Sequence, residues 1–448
     1  MTAAMNGADT IFALSSGAPP AGVALVRMSG PGVRFGLETM AGAVPAGRHA
    51  TLAAIRSRDG ELLDRGLVLF FPGPDSFTGE DVAELHLHGG RAVVQAVLAE
   101  LGALSGFRPA VAGEFTRRAF QNRKVDLTQV EGLADLVAAE TEAQRRQALR
   151  QASGDLGRLY EGWRERLVRA RALLEAELDF VDEDDVPGSV SVQAWDIVRG
   201  LLQEIVNHVD DRRGERLRDG AEIVILGPPN AGKSSLVNAI ARRDVAIVTP
   251  EAGTTRDLIE VRVDLGGYAA TLVDTAGLRE AEGLVEREGI RRAEARAAAA
   301  DIVLWLSDVT AKNGGRPAPP GAIRVGTKID LIDGGIDSGA DRSRLPPFDF
   351  LVSAETGQGI DALLAALAGR LAVTVGLDEP PLVTRARHRA ALVACRDALL
   401  AALSDDGRPL ELRAEDLRAA GNALARITGR IDVEDMLDVI FRDFCIGK

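Results

Sequence analysis

A chain of 448 residues has room for about three domains of ordinary size, each large enough to bury a core of its own. Its formal charge of −13 and isoelectric point near 5.1 exclude a global basic field for nucleic acid, so any RNA contact must come from local patches. Two cysteines, Cys395 and Cys445, stand far apart and outside any zinc spacing, which fits a reducing compartment. No apolar run reaches the length of a membrane span, and no basic region followed by a hydrophobic segment opens the chain. A cytoplasmic protein with no membrane association is expected.

Residues 1–122 read as a separate α+β domain. Strand-like runs at 10–14, 22–28, 66–71 and 82–88 alternate with a helical pattern at 91–104 and with turns carrying Gly and Pro. Within it, Phe77-Thr78-Gly79-Glu80-Asp81 leads into a strand on which Glu84, His86 and His88 share one face. A metal site needs such a row, but no further His or Cys cluster completes a ligand set, so a solvated strand face is the reading. Local basic patches lie at 117–124, 212–218 and 385–389. Each is a candidate for RNA contact, although such patches are more often solvated faces.

Residues 123–217 are patterned as helices. Leu156, Tyr160, Trp163, Leu167, Ala170 and Leu174 recur at the spacing that lines one side of a long helix, and that stripe is core. An acidic break at 179–185 followed by Pro187 ends it, and a further helix is expected over 192–211. A nucleotide-binding unit then occupies 218–375. Helical patterning resumes in 376–448, over 390–403, 412–427 and 433–444. An α/β unit therefore interrupts a helical one, and the two helical stretches are expected to pack as one bundle.

Inside the interrupting unit, the apolar run 223–226 leads into Gly227-Pro228-Pro229-Asn230-Ala231-Gly232-Lys233-Ser234 and then into a helical pattern that opens with Ser235. Strand, glycine turn and helix start in that order make a phosphate cradle. Backbone amides point at the phosphates, Lys233 reaches the β/γ oxygens, and the Ser234 hydroxyl suits Mg²⁺. Four further segments follow in order. Gly253-Thr254-Thr255-Arg256-Asp257, just after Thr249-Pro250-Glu251-Ala252, lies where a switch loop supplies a threonine to the metal. Asp274-Thr275-Ala276-Gly277 ends the apolar run 269–273, suiting an Asp that orders the metal shell and a glycine close to the γ-phosphate. Thr327-Lys328-Ile329-Asp330 follows 322–326, and Ser353-Ala354 follows 350–352. The carboxylate of Asp330 accepts from both donors on guanine's Watson–Crick edge, and adenine would leave it unpaired.

Two departures from the usual GTPase pattern stand out. Thr327 occupies the place of an asparagine, which removes an amide contact. Leu278 stands where many GTPases carry the glutamine that orients water. Arg279, Glu280, Glu282 and Glu286, with Arg256 as a charge stabiliser, are the alternatives that spacing leaves open.

The phosphate loop, Gly253 to Asp257, Asp274 to Glu280, Phe77 to Asp81 and the terminal Phe444-Cys445-Ile446-Gly447-Lys448 together resemble the MnmE (TrmE) family of tRNA modification GTPases across essentially the whole chain. The resemblance implies an N-terminal tetrahydrofolate-binding and dimerisation domain, a discontinuous helical bundle and an inserted Ras-like P-loop G domain with a mostly parallel sheet. It also implies G domains that pair when GTP and K⁺ are bound. On this resemblance Asn230 with Thr249, Glu251 and Thr254 holds K⁺, Ser234 and Thr255 hold Mg²⁺, and Glu286 positions the attacking water. Arg27, Glu84, Lys124 and Lys448 match the positions for 5-formyl- or 5,10-methylene-tetrahydrofolate. Ala112 stands where the family usually has proline.

The expected protein is a homodimeric, K⁺-activated GTPase acting with a flavin-dependent partner of the MnmG (GidA) type. The pair would place an aminomethyl or carboxymethylaminomethyl group on C5 of the wobble uridine of certain tRNAs. FAD would sit on the partner, because no Gly-x-Gly-x-x-Gly fingerprint follows a strand here. The rival readings are a ribosome-assembly or RNA-chaperone GTPase switch without covalent chemistry, and a folate-dependent methyltransferase with a regulatory G domain.

Overall fold

The computed structural model describes residues 9–179, 190–247, 259–274, 295–311, 317–332, 347–376, 383–404 and 407–431, and beyond these 437, 440, 441, 444 and 447. They fall into two compact units. The first holds Met1–Ala134, Ala152–Glu165 and Gly421–Lys448; the second holds Asp135–Gln151 and Arg166–Ala420.

In the first unit, β1 (Thr10–Leu14), β2 (Ala21–Ser29), β3 (Thr51–Arg56), β4 (Leu62–Phe71), β5 (Val82–Gly89) and β6 (Phe107–Pro109) form one sheet in the order β3-β4-β5-β2-β1-β6. All neighbours are antiparallel except β6, which runs parallel to β1. Alternation along the strands decides the layers. Ala83, Leu85 and Leu87 point inward, where α1 (Val33–Ala41) and α2 (Arg91–Gly102) cover them with Leu37, Met40, Val97 and Leu101. The other face carries Ile11, Ala13, Arg27, Glu84 and His86. Part of it is covered by Phe115 of α3 (Glu114–Gln121), which packs on Ile11 and Ala13.

Residues from the end of the chain belong to this unit. Leu437, Phe441 and Phe444 pack on Leu127 and Val130, and the Ser15 hydroxyl donates to the Gly447 carbonyl at 2.8 Å. Helices α4 (Leu127–Ala138), α5 (Glu142–Ala152), α6 (Asp155–Asp179), α7 (Val190–Asp210) and α8 (Arg213–Asp219) follow the first sheet. All six members of the stripe on α6 are buried, from Leu156 to Leu174.

The second unit is built on β7 (Ala221–Leu226), β8 (Ile259–Leu265), β9 (Tyr268–Asp274), β10 (Ile302–Asp308), β11 (Ile323–Thr327) and β12 (Phe350–Leu351), in the order β12-β11-β10-β7-β9-β8. Every pair is parallel except β8 with β9. Ile223, Val224, Ile225 and Leu226 are all buried, as a central parallel strand covered on both faces requires. One face is covered by α9 (Lys233–Ala241) through Leu236, Val237 and Ile240, and by α10 (Ile360–Val375) through Ile360, Leu363, Leu367 and Leu371.

Helices α11 (Ala386–Leu403) and α12 (Leu410–Thr428) complete the described elements. Helix α11 packs on α7, so helical segments from before and after the inserted sheet meet; the two helical stretches as a whole are divided between the two units. Arg389 strengthens the join: its guanidinium pairs with Glu215 at 3.0 Å and donates to the Asp211 carbonyl at 2.9 Å. Ala143, at the start of α5, is buried in the core of the second sheet and donates its amide to the Gly267 carbonyl at 3.1 Å. No described helix is long and apolar enough to cross a membrane.

Candidate functional site

Strand β7 ends at Leu226 and α9 begins at Lys233, so the phosphate loop lies at the carboxyl edge of the parallel sheet, where ligands of such sheets bind. Gly227 has a φ of +152°, and a Cβ there would lie 2.4 Å from the Leu306 carbonyl of β10, a space only glycine leaves open. Asn230 follows with a φ of +62°. The Lys233 ammonium is buried and folds onto the loop, donating to the carbonyls of Gly227 at 3.2 Å and Pro228 at 2.9 Å.

Register places Ile225 of β7 beside Asp274 at the end of β9. That brings the Ser234 hydroxyl to 2.5 Å from the Asp274 carboxylate, whose residue is fully buried. A hydroxyl and a carboxylate facing one spot beside a phosphate cradle are the hard oxygen donors that Mg²⁺ takes.

The residues expected to read the base come from the neighbouring strands. Thr327 ends β11, Lys328 turns the chain with a φ of +62°, and Asp330 lies in the short turn Ile329–Leu331. The Ser353 hydroxyl donates to Asp330 at 2.5 Å and accepts from the Thr356 amide at 3.1 Å. Thus Asp330 and Ser353, distant in sequence, meet. Thr327 turns its hydroxyl to the Ala231 carbonyl of the phosphate loop, 2.8 Å away.

Sequence reasoning missed Asp308, the last residue of β10. It pairs with the Lys328 ammonium at 2.8 Å. Burial pushes its carboxyl up, but hydrogen bonds from Lys328 and Thr310 outweigh that and hold it below the usual aspartate range. The available signal was a carboxylate closing an apolar run beside four other loops of the same sheet edge.

In the first unit Arg27 and Glu84 are register partners on β2 and β5, joined at 2.8 Å and 3.0 Å, with the Arg27 guanidinium 5.8 Å from the Phe115 ring centre. Lys124 lies against the loop of Gly79, whose added Cβ would stand 3.4 Å from the Lys124 Cγ. The same loop is held by Asn122, which donates to the Thr78 carbonyl at 2.7 Å. His86 stands 3.5 Å from Glu84 and His88 pairs with Asp64 at 2.8 Å. Residues Thr249 to Thr255, Thr275 to Gly277, Glu286, Cys445 and Lys448 lie outside the described residues.

Most of the basic patches are engaged internally. Arg118 pairs with Glu80 and Glu114, Arg213 with Asp211, Arg216 with Asp301, Arg218 and Arg385 with Asp135, and Arg389 with Glu215.

A mostly parallel sheet with a glycine-rich loop between one strand and a helix, and with the Ser234–Asp274 and Asp330–Ser353 pairs at the same edge, is the architecture of a P-loop GTPase domain set within a longer chain. Comparison with known proteins narrows the class. The family model "GTP-binding protein TrmE N-terminus" matches residues 10–124 and the "MnmE helical domain" matches 127–445. The protein named tRNA modification GTPase MnmE of Parvibaculum lavamentivorans is 56% identical over 449 aligned positions, covering 98% of this chain and all of that one. Its namesake from Brucella canis is 54% identical over 441 residues and 98% of both chains. The chain belongs to the tRNA modification GTPase MnmE family. Among solved structures, Era of Aquifex aeolicus matches 42% of this chain and 68% of its own at 24% identity, with a TM-score of 0.26 that adds nothing to the assignment.

Proposed function

We propose that the protein is a homodimeric, K⁺-activated GTPase that acts with an FAD-carrying partner of the MnmG (GidA) type on C5 of the wobble uridine, position 34, of certain tRNAs. The product is an aminomethyl or carboxymethylaminomethyl uridine, and the carbon comes from 5-formyl- or 5,10-methylene-tetrahydrofolate. The observation that carries the hydrolytic part is the 2.5 Å approach of Ser234 to Asp274 beside the phosphate loop, on the same sheet edge as the Asp330–Ser353 pair.

In this reading Ser234 and Thr255 hold Mg²⁺, and Asn230 with Thr249, Glu251 and Thr254 holds K⁺. The monovalent ion, when bound, neutralises charge that develops between the β and γ phosphates, work that an arginine finger does elsewhere. Glu286 orients the water, which relieves Leu278 of any catalytic part.

Arg27, Glu84, Lys124 and Lys448 take the folate. A carboxylate accepts from the pterin's amino group and ring N–H, and cations suit its anionic tail. Support comes from the sheet face shared by Arg27 and Glu84, and from Gly447, which lies against Ser15 two residues past the register partner of Arg27. The homodimer is supported by Leu52 and Leu67, register partners on β3 and β4 that are 73% and 43% exposed.

Nucleoside mass spectrometry of tRNA from cells lacking the protein tests the whole reading. Loss of the C5-modified wobble uridine is expected. Intact modification would leave a ribosome-assembly or RNA-chaperone role in its place.

A further inference from the structure

We propose that Thr327 is a positioning residue: its hydroxyl fastens the base-reading loop to the phosphate loop and makes no contact with the base. This rests on the reading that the site takes a guanine nucleotide. The residue is 4% exposed, and its Oγ lies 2.8 Å from the Ala231 carbonyl and 3.2 Å from the Ser307 carbonyl. Both neighbours only accept, and a hydroxyl has one proton, so the nearer carbonyl of Ala231 takes it. No donor is left for a nucleotide.

The position of the fastening gives it leverage. Ala231 is buried between Asn230 and Gly232, both with positive φ, so the carbonyl it presents is set by the fold of the phosphate loop. The two loops run close together there: a Cβ added to Gly232 would come into ordinary contact with Thr327, 3.7 Å away. Three residues on from Thr327, Asp330 presents the carboxylate that reads the base, with Lys328 between them pinned to Asp308. Releasing the hydroxyl frees the base loop at its root, while Ser353 still holds its far side. An asparagine amide at this place has two protons and can serve a carbonyl and a base together. With threonine, base recognition falls on Asp330 and its Ser353 partner.

The test is equilibrium titration of the full-length protein with GTP and with ITP, which lacks the 2-amino group that Asp330 would accept from, alongside thermal melting. Wild type is expected to prefer GTP. T327V, matched in shape but without the hydroxyl, should lose GTP affinity by about tenfold, the scale of one buried hydrogen bond with its acceptor left unpaired. It should lose less for ITP, so the GTP/ITP ratio shrinks. T327S should restore both, and T327C, a weak donor, should fall between, an ordering that stays readable if T327V alone folds poorly. An unchanged ratio in T327V, including an equal loss for both nucleotides, overturns the proposal. A wild type with no preference for GTP overturns the guanine reading itself, and this inference with it.

Discussion

In the proposed reading Asp330 carries the choice of base, and that role is testable at one atom. Asp330→Asn replaces one acceptor oxygen with a donor, so the variant should turn from GTP toward XTP, which offers a carbonyl where guanine has its amino group. Competition binding should show a shift of roughly 10²-fold, the scale on which sites built around a buried polar contact discriminate; an unaltered GTP preference would place base reading elsewhere. Asp330 was legible in the sequence because a carboxylate three residues past an apolar strand, in series with a phosphate loop, has few other uses. The partner of Lys328 was not. Asp308 and Lys328 are twenty residues apart, and only the parallel register of β10 with β11, pairing Asp308 with Thr327, brings them together. Thr327 was read as a lost contact because its substitute partner, the Ala231 carbonyl, is a backbone atom that no residue type advertises.

Among the elements, α3 shows how a short helix with little apolar surface is held. Glu114 at its start is buried and joins Arg108 at 2.6 Å and Arg118 at 3.3 Å, and Arg118 continues to Glu80 at 3.1 Å. Ser29 donates to the same Glu80 at 2.6 Å, so the chain of charges ties α3 to β2 and to the loop of Phe77 to Asp81. Burial alone pushes the Glu114 carboxyl up, but Arg108, the Val111 amide and Arg118 outweigh it and hold it below the usual glutamate range. A depressed carboxyl contributes stability above its ordinary value of 4.5, and the contribution fades as pH falls through the lower folded value. Glu114→Ala should therefore cost about 1–3 kcal/mol near neutral pH, because the buried Arg118 loses one of its two carboxylate partners and keeps Glu80. Thermal melts should also show a shallower loss of stability below pH 4.5 in the variant than in wild type. Parallel pH profiles for the two proteins would refute the assignment. Cys395 is inert by the opposite logic, its thiol pushed up to about 12 by burial.

Elements differed in how openly they were written. Alternation made β5 plain, and a long buried stripe did the same for α6. Strands β3, β6, β8 and β10 went unnamed. β6 is three residues long, β3 is an edge strand with little buried, and β8 stands at the end of the strand order beside β9. β10 is a central strand whose apolar run could equally be a buried helix segment until its neighbours are known.

For the whole molecule, the interruption of a helical domain by a nucleotide-binding sheet was legible, because each flanking run of helices left an apolar stripe in need of cover. The packing of α7 on α11 supplies it. The fate of the basic patches was not legible. Sequence shows a cluster of arginines, and only packing reveals that Asp135, Asp301 and Glu215 await them. With most of these arginines engaged, tRNA binding should depend weakly on the patch at 212–218. Replacing Arg213 and Arg216 together with glutamine is expected to change tRNA affinity less than threefold in a filter-binding titration, a surface-scale effect. A tenfold loss would return that patch to the RNA surface.

In the proposed reading a monovalent cation does what Leu278 cannot. GTP turnover by the full-length protein, measured in K⁺ and in Na⁺ at equal ionic strength, tests this most directly. A rate in K⁺ about tenfold or more above that in Na⁺ is expected, and equal rates in the two salts would contradict it.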